Sequence, residues 1–313
     1  MLMHVRRFLS RFLSLCLLLS FGSFLMAQAQ PHASSLSYPY DELLVNIDDI
    51  ADLMQDSEVV LVDMRDNAFM DGHIPGAVWF GGISALVDED NEVEAFLAGP
   101  AEFENMMRMA GIDNDSHIVI YDEGNGLGAS RLFYALSLYG HENMAVVNGG
   151  FAAWQAAGMM ISTEADIPSR GSFTVELNEG VSCDIAFITG GLEDDDVVIL
   201  DARAPEEYSG ENIRAERGGH IPGAVNLEWR NFVEHDGNLE EGVPFFKSSE
   251  ELRSILAEKG ITRDKEVITH CQSNVRGSHA FFTLRLMGYD SVRAYEGSWF
   301  EWGNAADTPI NTP

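Results

Sequence analysis

One short segment gathers the residue types from which reactive chemistry is built: Cys271-Gln272-Ser273-Asn274-Val275-Arg276. It follows the run Val267-Ile268-Thr269-His270 and precedes a helical pattern from Gly277 to Met287, which Gly288 ends. A strand that breaks into a short loop and restarts as a helix turns several backbone N–H groups toward one point, making an anion-binding nest. A cysteine held there is favoured as the thiolate, its nucleophilic form, and Arg276 supplies a countercharge. The competing reading of Cys271 is a buried, inert thiol, the commoner fate of cysteine. The coincidence of loop, arginine and neighbouring serine favours the reactive one. His270 should point to the opposite face of its strand from Cys271, so a cysteine–histidine peptidase pair is not expected. His279, on the following helix, reads as structural.

The elements that must position this loop occur twice. Val59-Val60-Leu61-Val62-Asp63-Met64-Arg65 is echoed by Val197-Val198-Ile199-Leu200-Asp201-Ala202-Arg203. His73-Ile74-Pro75-Gly76-Ala77-Val78 returns letter for letter from His220 to Val225, and Asn148-Gly149-Gly150 through Trp154 corresponds to Glu296-Gly297-Ser298 through Trp302. Ile118 to Asp122 matches Val267 to Cys271, so Asp122 stands where the second copy has its cysteine. Self-similarity at a spacing of about 130–150 residues marks a tandem repeat. The β-branched runs lack alternation, as buried parallel strands do, and the intervening segments carry helical spacing. Leu252, Ile255 and Leu256 ahead of Gly260 form one such helix. The fold class is therefore α/β, two tandem domains, each a mainly parallel sheet flanked by helices. The expected boundaries are 42–161, a linker over 162–175, and 176–308. Trp154, Trp299 and Trp302 read as core anchors, and Glu193-Asp194-Asp195-Asp196 as a solvated turn.

Composition narrows the partners. Fifty acidic against 19 basic side chains give a formal charge of -31, and only Lys247, Lys259 and Lys265 are lysines. Such a chain has no basic face with which to neutralise nucleic acid or anionic lipid. With three cysteines in all, no disulfide scaffold is possible, and no CxxC or HExxH motif points to zinc. Residues 1–29 have the layout of a signal peptide: Arg6, Arg7 and Arg11, an apolar stretch from Phe12 to Met26, then Ala27 and Ala29. That stretch is shorter than the roughly 20 residues a bilayer requires, so cleavage near Ala29, release into a periplasm and no lasting membrane insertion are expected. Cys16 lies inside it and lacks the context for lipid attachment. Cleavage leaves Cys183 and Cys271.

The motifs together resemble the rhodanese family of sulfurtransferases, in particular its two-domain members. Phe69 through Phe80, containing His73-Ile74-Pro75-Gly76-Ala77, matches one family signature, and Val292 through Trp302 matches another. The resemblance covers roughly Asn46 to Trp302. It implies catalysis in the second domain at Cys271 with Arg276, through a cysteine persulfide and without metal or organic cofactor. It also implies that Gln272, Ser273, Asn274 and Val275 bind substrate, and that the first domain contributes at the interface. Gly128-Ala129-Ser130-Arg131 resembles the family segment whose arginine faces the catalytic loop, so Arg131 stands as a second anion-binding candidate, against a plain surface arginine. His73 resembles a residue that joins the serine two places after the cysteine, here Ser273. Both copies carry this histidine, so a structural role in the turn competes. The implied partners are a small anionic sulfur donor, thiosulfate or 3-mercaptopyruvate, and a thiophilic acceptor, cyanide or a thiol.

Gln272 and Ser273 fit neither donor type cleanly. Arg276 favours doubly charged thiosulfate, the preferred donor, whereas Ser273 leans toward the keto acid. Asn274 replaces the glycine common at its place, and asparagine is the side chain that best tolerates a left-handed backbone. The C-x4-R loop is one residue shorter than the C-x5-R loop of related phosphatases, which suits a single transferred sulfur better than a phosphate. A non-catalytic sulfur carrier or binding module is the alternative from another class.

Overall fold

The structure is a computed structural model that describes residues 37–165 and 167–312. The signal peptide expected over residues 1–29, Cys16 included, lies outside the described residues.

The first copy runs β1 (Leu44–Val45), α1 (Ile47–Leu53), β2 (Val59–Asp63), β3 (Val78–Trp79), α2 (Pro100–Met109), β4 (His117–Tyr121), α3 (Leu127–Leu138), β5 (Met144–Val147) and α4 (Gly150–Ala156). The second runs β6 (Ser182–Cys183), α5 (Ile185–Gly191), β7 (Val197–Asp201), α6 (Pro205–Ser209), β8 (Val225–Asn226), α7 (Ser249–Glu258), β9 (Glu266–His270), α8 (Val275–Leu286), β10 (Val292–Tyr295) and α9 (Ser298–Asn304). Each sheet is all-parallel, in the orders β1-β5-β4-β2-β3 and β6-β10-β9-β7-β8. Parallel strands covered on both faces need apolar side chains both odd and even along the strand. In β4, Ile118 and Ile120 face one cluster while Val119 and Tyr121 face another. α7 starts where Ser248 and Glu251 cap each other, Ser248 Oγ meeting the Glu251 carboxylate at 2.6 Å, and it buries Leu252 and Leu256.

The repeat extends to side-chain detail. Arg65 grips Asp63 at 2.6 Å, donates to the Gly72 carbonyl and lies 3.8 Å from the Phe151 ring centre. Arg203 grips Asp201 at 2.6 Å, donates to the Gly219 carbonyl and lies 4.3 Å from the Trp299 ring centre. Trp154, Trp299 and Trp302 are buried. Glu193 to Asp196 is an exposed turn in which Asp194 accepts the Asp196 N–H at 2.9 Å.

The stretches at the expected boundaries are tied to the two copies. Asn311, beyond position 308, pairs with His220 as Ser162 pairs with His73, so a short tail closes each copy. The 162–175 stretch is bound rather than free: Phe173 is fully buried against Phe103, and its carbonyl accepts from Arg108 at 2.7 Å.

The helices that follow the two equivalent loops, α3 and α8, pack together between the sheets. Phe133 meets Phe282 edge-on at 4.9 Å and Tyr134 meets Phe281 at 5.4 Å. One apolar cluster therefore spans both copies. Polar bonds cross it in pairs: Asn148 accepts the Phe246 N–H at 3.0 Å, and Glu296, its counterpart, accepts the Leu97 N–H at 3.0 Å.

Candidate active site

Cys271 follows β9, which is flanked by β7 and β10 and so sits in the middle of its sheet. The thiol residue is buried, 1% exposed. Its N–H donates to Ser298 Oγ at 3.3 Å, and its carbonyl accepts the Trp299 N–H at 2.9 Å. Gln272 is stitched alongside: its carbonyl accepts the Phe300 N–H at 2.9 Å and its side-chain amide donates to the Arg214 carbonyl at 2.9 Å. The loop is thus held by the β10–α9 turn, the segment carrying the second family signature.

α8 begins at Val275, two residues before the Gly277 start read from the sequence, with Asn274 as a left-handed cap at φ 54°. Asparagine does replace glycine there without loss of the turn, and its side chain adds an anchor, donating to Glu296 Oε2 at 2.7 Å. Arg276 consequently rides on the first helical turn. Gly277 is required for another reason: a Cβ would come within 2.3 Å of Asn274 Oδ1 and 3.1 Å of the His270 Cα. Ser278 N–H closes the first helical bond to the Asn274 carbonyl, so the preceding N–H groups lack helical partners and remain for an anion at Cys271.

The first copy displays what such a loop does. Asp122, at the position equivalent to Cys271, accepts four backbone N–H groups: Gly124 and Gly126 on Oδ1 at 2.9 and 3.2 Å, Gly128 and Ala129 on Oδ2 at 2.9 and 3.3 Å. Burial nevertheless outweighs these bonds and raises its pKa. In the first copy the strand–loop–helix unit converges four amides on the carboxylate at its strand end, and Cys271 occupies the corresponding strand end in the second.

Arg276 differs from a free countercharge. Buried Glu207 takes its guanidinium by both oxygens, at 2.5 and 3.0 Å, and shares the Oε1 atom with Arg214 at 3.2 Å. Burial would lower the arginine's pKa, but the Glu207 hydrogen bond and the Cys271 thiol outweigh it and the net shift is upward. Burial likewise would raise Glu207, and Arg276 holds it below the usual carboxylate range. Glu207 was invisible in the sequence because only the fold brings α6 to the loop.

Two predicted substrate ligands are engaged by groups of the protein itself. Arg131 is 1% exposed and is neither an open anion site nor a surface arginine. It is clamped by Glu296 at 2.5 and 3.1 Å and donates to the Ala95 carbonyl at 2.7 Å and Ser278 Oγ at 3.3 Å. Its role at the loop is to support it from across the interface, reaching the Asn274 carbonyl at 3.4 Å. His73 is stacked on Phe69 at 3.7 Å with its ring nitrogens on the Phe69 and Glu164 carbonyls, at 2.9 and 3.2 Å. His220 repeats the stacking on Tyr208 at 3.7 Å. Both histidines pin their turns. Ser273 and Val275 are half-buried at the loop.

Among the described residues, neither neighbouring histidine is set as a peptidase-like base for the thiol. His270 turns to the other face, its Nε2 3.6 Å from Asp201 Oδ2 and its Nδ1 3.2 Å from the Cys271 carbonyl oxygen. His279 is caged by Trp229, Phe232 and Phe246 with neither ring nitrogen in good hydrogen-bond geometry, and the Asn125 backbone is only loosely approached. Burial drives its pKa down to about 3 from 6.5. A base kept neutral in the fold contributes stability above the unfolded-state pKa, and this is lost as pH falls from about 6.5 toward 3. From pH 7 to 5, His279→Phe is expected to lose about 2 kcal/mol less than the wild type in urea unfolding. Parallel pH dependences would contradict this.

The comparisons with known proteins agree with this architecture. The rhodanese-like domain model matches residues 46–157 and again 188–305. The chain belongs to the rhodanese-like domain family. It is 33% identical over 270 residues to the thiosulfate sulfurtransferase of Azotobacter vinelandii, covering 86% of this chain and 96% of that one. It is 32% identical to the sulfur carrier protein TtuD of Thermus thermophilus, over 88% of this chain and 98% of that one. The crystal structure of the 3-mercaptopyruvate sulfotransferase SseA from Escherichia coli superimposes with a TM-score of 0.73 at 29% identity, covering 82% and 98% of the two chains. The rhodanese-like assignment places both copies in one family, including the copy that lacks the cysteine.

Proposed function

We propose that this rhodanese-like protein is an exported sulfurtransferase that moves a sulfane sulfur from thiosulfate to cyanide or a thiol. The observation that carries the reading is the Cys271 loop, a thiol at a strand end whose counterpart in the first copy collects four N–H groups on one carboxylate. The Cys271 thiolate attacks the outer sulfur of thiosulfate. The S–S bond breaks, sulfite departs with the electron pair, and a persulfide remains. The loop amides face its negative charge. Cyanide then attacks the outer sulfur, thiocyanate leaves, and the thiolate is restored.

3-Mercaptopyruvate is the second reading, favoured by the pairing of Arg276 with Glu207 and by a Ser273 hydroxyl that makes no hydrogen bond among the described residues. Export rests on the layout of residues 1–29 alone.

Incubation with thiosulfate should add the mass of one sulfur atom to the protein, and cyanide should release it as thiocyanate with ping-pong kinetics. Because the chain carries a net charge of -31, moderate salt should screen the carboxylates and lower the apparent KM for thiosulfate. Negligible turnover of both donors, with no mass gain, would sink the assignment.

A further inference from the structure

We propose that Glu207 determines the charge of the anion accepted at Cys271: by neutralising Arg276 it makes the site take singly charged sulfur donors about as readily as doubly charged ones. The inference rests on the sulfurtransferase reading for its biological meaning, and on geometry for its content. Glu207 is only 4% exposed, yet it engages Arg276 through both oxygens, Arg214 through one, and the Ala204 N–H at 3.3 Å. It rides on α6, a five-residue helix whose place in the first copy is taken by the 3-10 turn Phe69–Asp71. This element brings a carboxylate into the catalytic copy alone.

Most other arginines near the loop are compensated too, while the half-exposed Arg214 shares Glu207 with Arg276. Arg203 is paired with Asp201 at 2.6 Å, Arg131 with Glu296 at 2.5 Å, and Arg230 with Glu228 at 3.1 Å. What the site retains for an anion is the set of loop N–H dipoles, enough for one negative charge on the transferred sulfur. The second charge of thiosulfate meets an Arg276 guanidinium already engaged by both oxygens of Glu207. A single carboxylate or sulfonate meets instead the half-buried Ser273 hydroxyl, a neutral donor.

The test separates charge selection from turnover by using anions that cannot react. Sulfate and methanesulfonate would be titrated into the full-length Cys271→Ser protein, with and without Glu207→Gln, by calorimetry. With Glu207 present, their dissociation constants should lie within about threefold of each other. Glu207→Gln should tighten sulfate about five- to tenfold and methanesulfonate about twofold, and Glu207→Asp should keep the original ratio because it keeps the charge. With Cys271 intact, kcat/KM for thiosulfate relative to methanethiosulfonate should rise in Glu207→Gln by the same factor. A preference for sulfate above about tenfold while Glu207 is present would overturn the proposal, as would an unchanged ratio or no anion binding in Glu207→Gln. Should Glu207→Gln fail to fold, the comparison in the Glu207 background decides alone. Loss of turnover with the binding pattern intact would refute the enzyme reading and leave the charge selection standing.

Discussion

Cys271→Ser is expected to cut thiocyanate release to less than about one thousandth of the wild-type rate while leaving the fold and anion binding in place. The bonds by which residue 271 holds the loop belong to its backbone, the N–H to Ser298 Oγ and the carbonyl from Trp299, and serine keeps both. The hydroxyl lacks the sulfur that must carry the transferred atom. Among the described residues no second thiol can substitute. Cys183 is on β6, and burial pushes its pKa up to about 12, so it stays protonated and unreactive at neutral pH. Mass spectrometry after thiosulfate treatment should therefore find the added sulfur on Cys271 in the wild type and none in the variant. A variant that still turns over, or a wild type carrying its sulfur on Cys183, would remove Cys271 from the centre of the mechanism.

What the sequence shows and what it hides divide along a physical line. The duplication, the α/β class and the strand–loop–helix at Cys271 are local: each is written in a contiguous run whose periodicity and punctuation determine its conformation. The left-handed turn at Asn274 belongs here too, since its cause is the backbone preference of one residue type. The partners of the arginines are not local. Arg276 is 69 residues from Glu207 and Arg131 is 165 from Glu296, and no spacing rule links them. An arginine near a reactive cysteine was therefore read as an anion ligand, when folding had matched each with a buried carboxylate. His73 is repeated as His220, and the two rings stack and hydrogen-bond alike, so the turn that both copies share accounts for the repeat.

That shared plan also makes each copy a support for the other. Arg131 and His279 occupy the same position on α3 and α8, the fifth residue of each helix. Each crosses to the opposite copy: Arg131 reaches the Asn274 turn, and His279 abuts Gly126, the left-handed cap of the first loop, where a Cβ would lie 3.1 Å from its Nε2. Each loop is thus backed by the helix of the other copy. The second copy receives a charged support and the first copy a neutral one.

The charged support gives the other large expected effect. Glu296 is 5% exposed and receives Arg131, the Asn274 side-chain amide at 2.7 Å and the Leu97 N–H at 3.0 Å. Glu296→Ala would leave a buried guanidinium without its counterion, a change that costs about 3–5 kcal/mol. Urea unfolding should show a loss of that size. Stability and catalysis can then be parted. In Arg131→Met with Glu296→Leu both charges are gone and apolar volume replaces them, so most of the stability should return. The Asn274 amide would still lack its acceptor, and the left-handed turn that aims the loop N–H groups at residue 271 would be held less tightly. Turnover in this double variant should therefore stay well below wild type, by about tenfold, with the deficit in kcat rather than KM, because the lost amides act on the charge at the transferred sulfur. Full recovery of kcat together with stability would mean that Glu296 serves the fold alone, and that the loop needs no anchor beyond its own backbone.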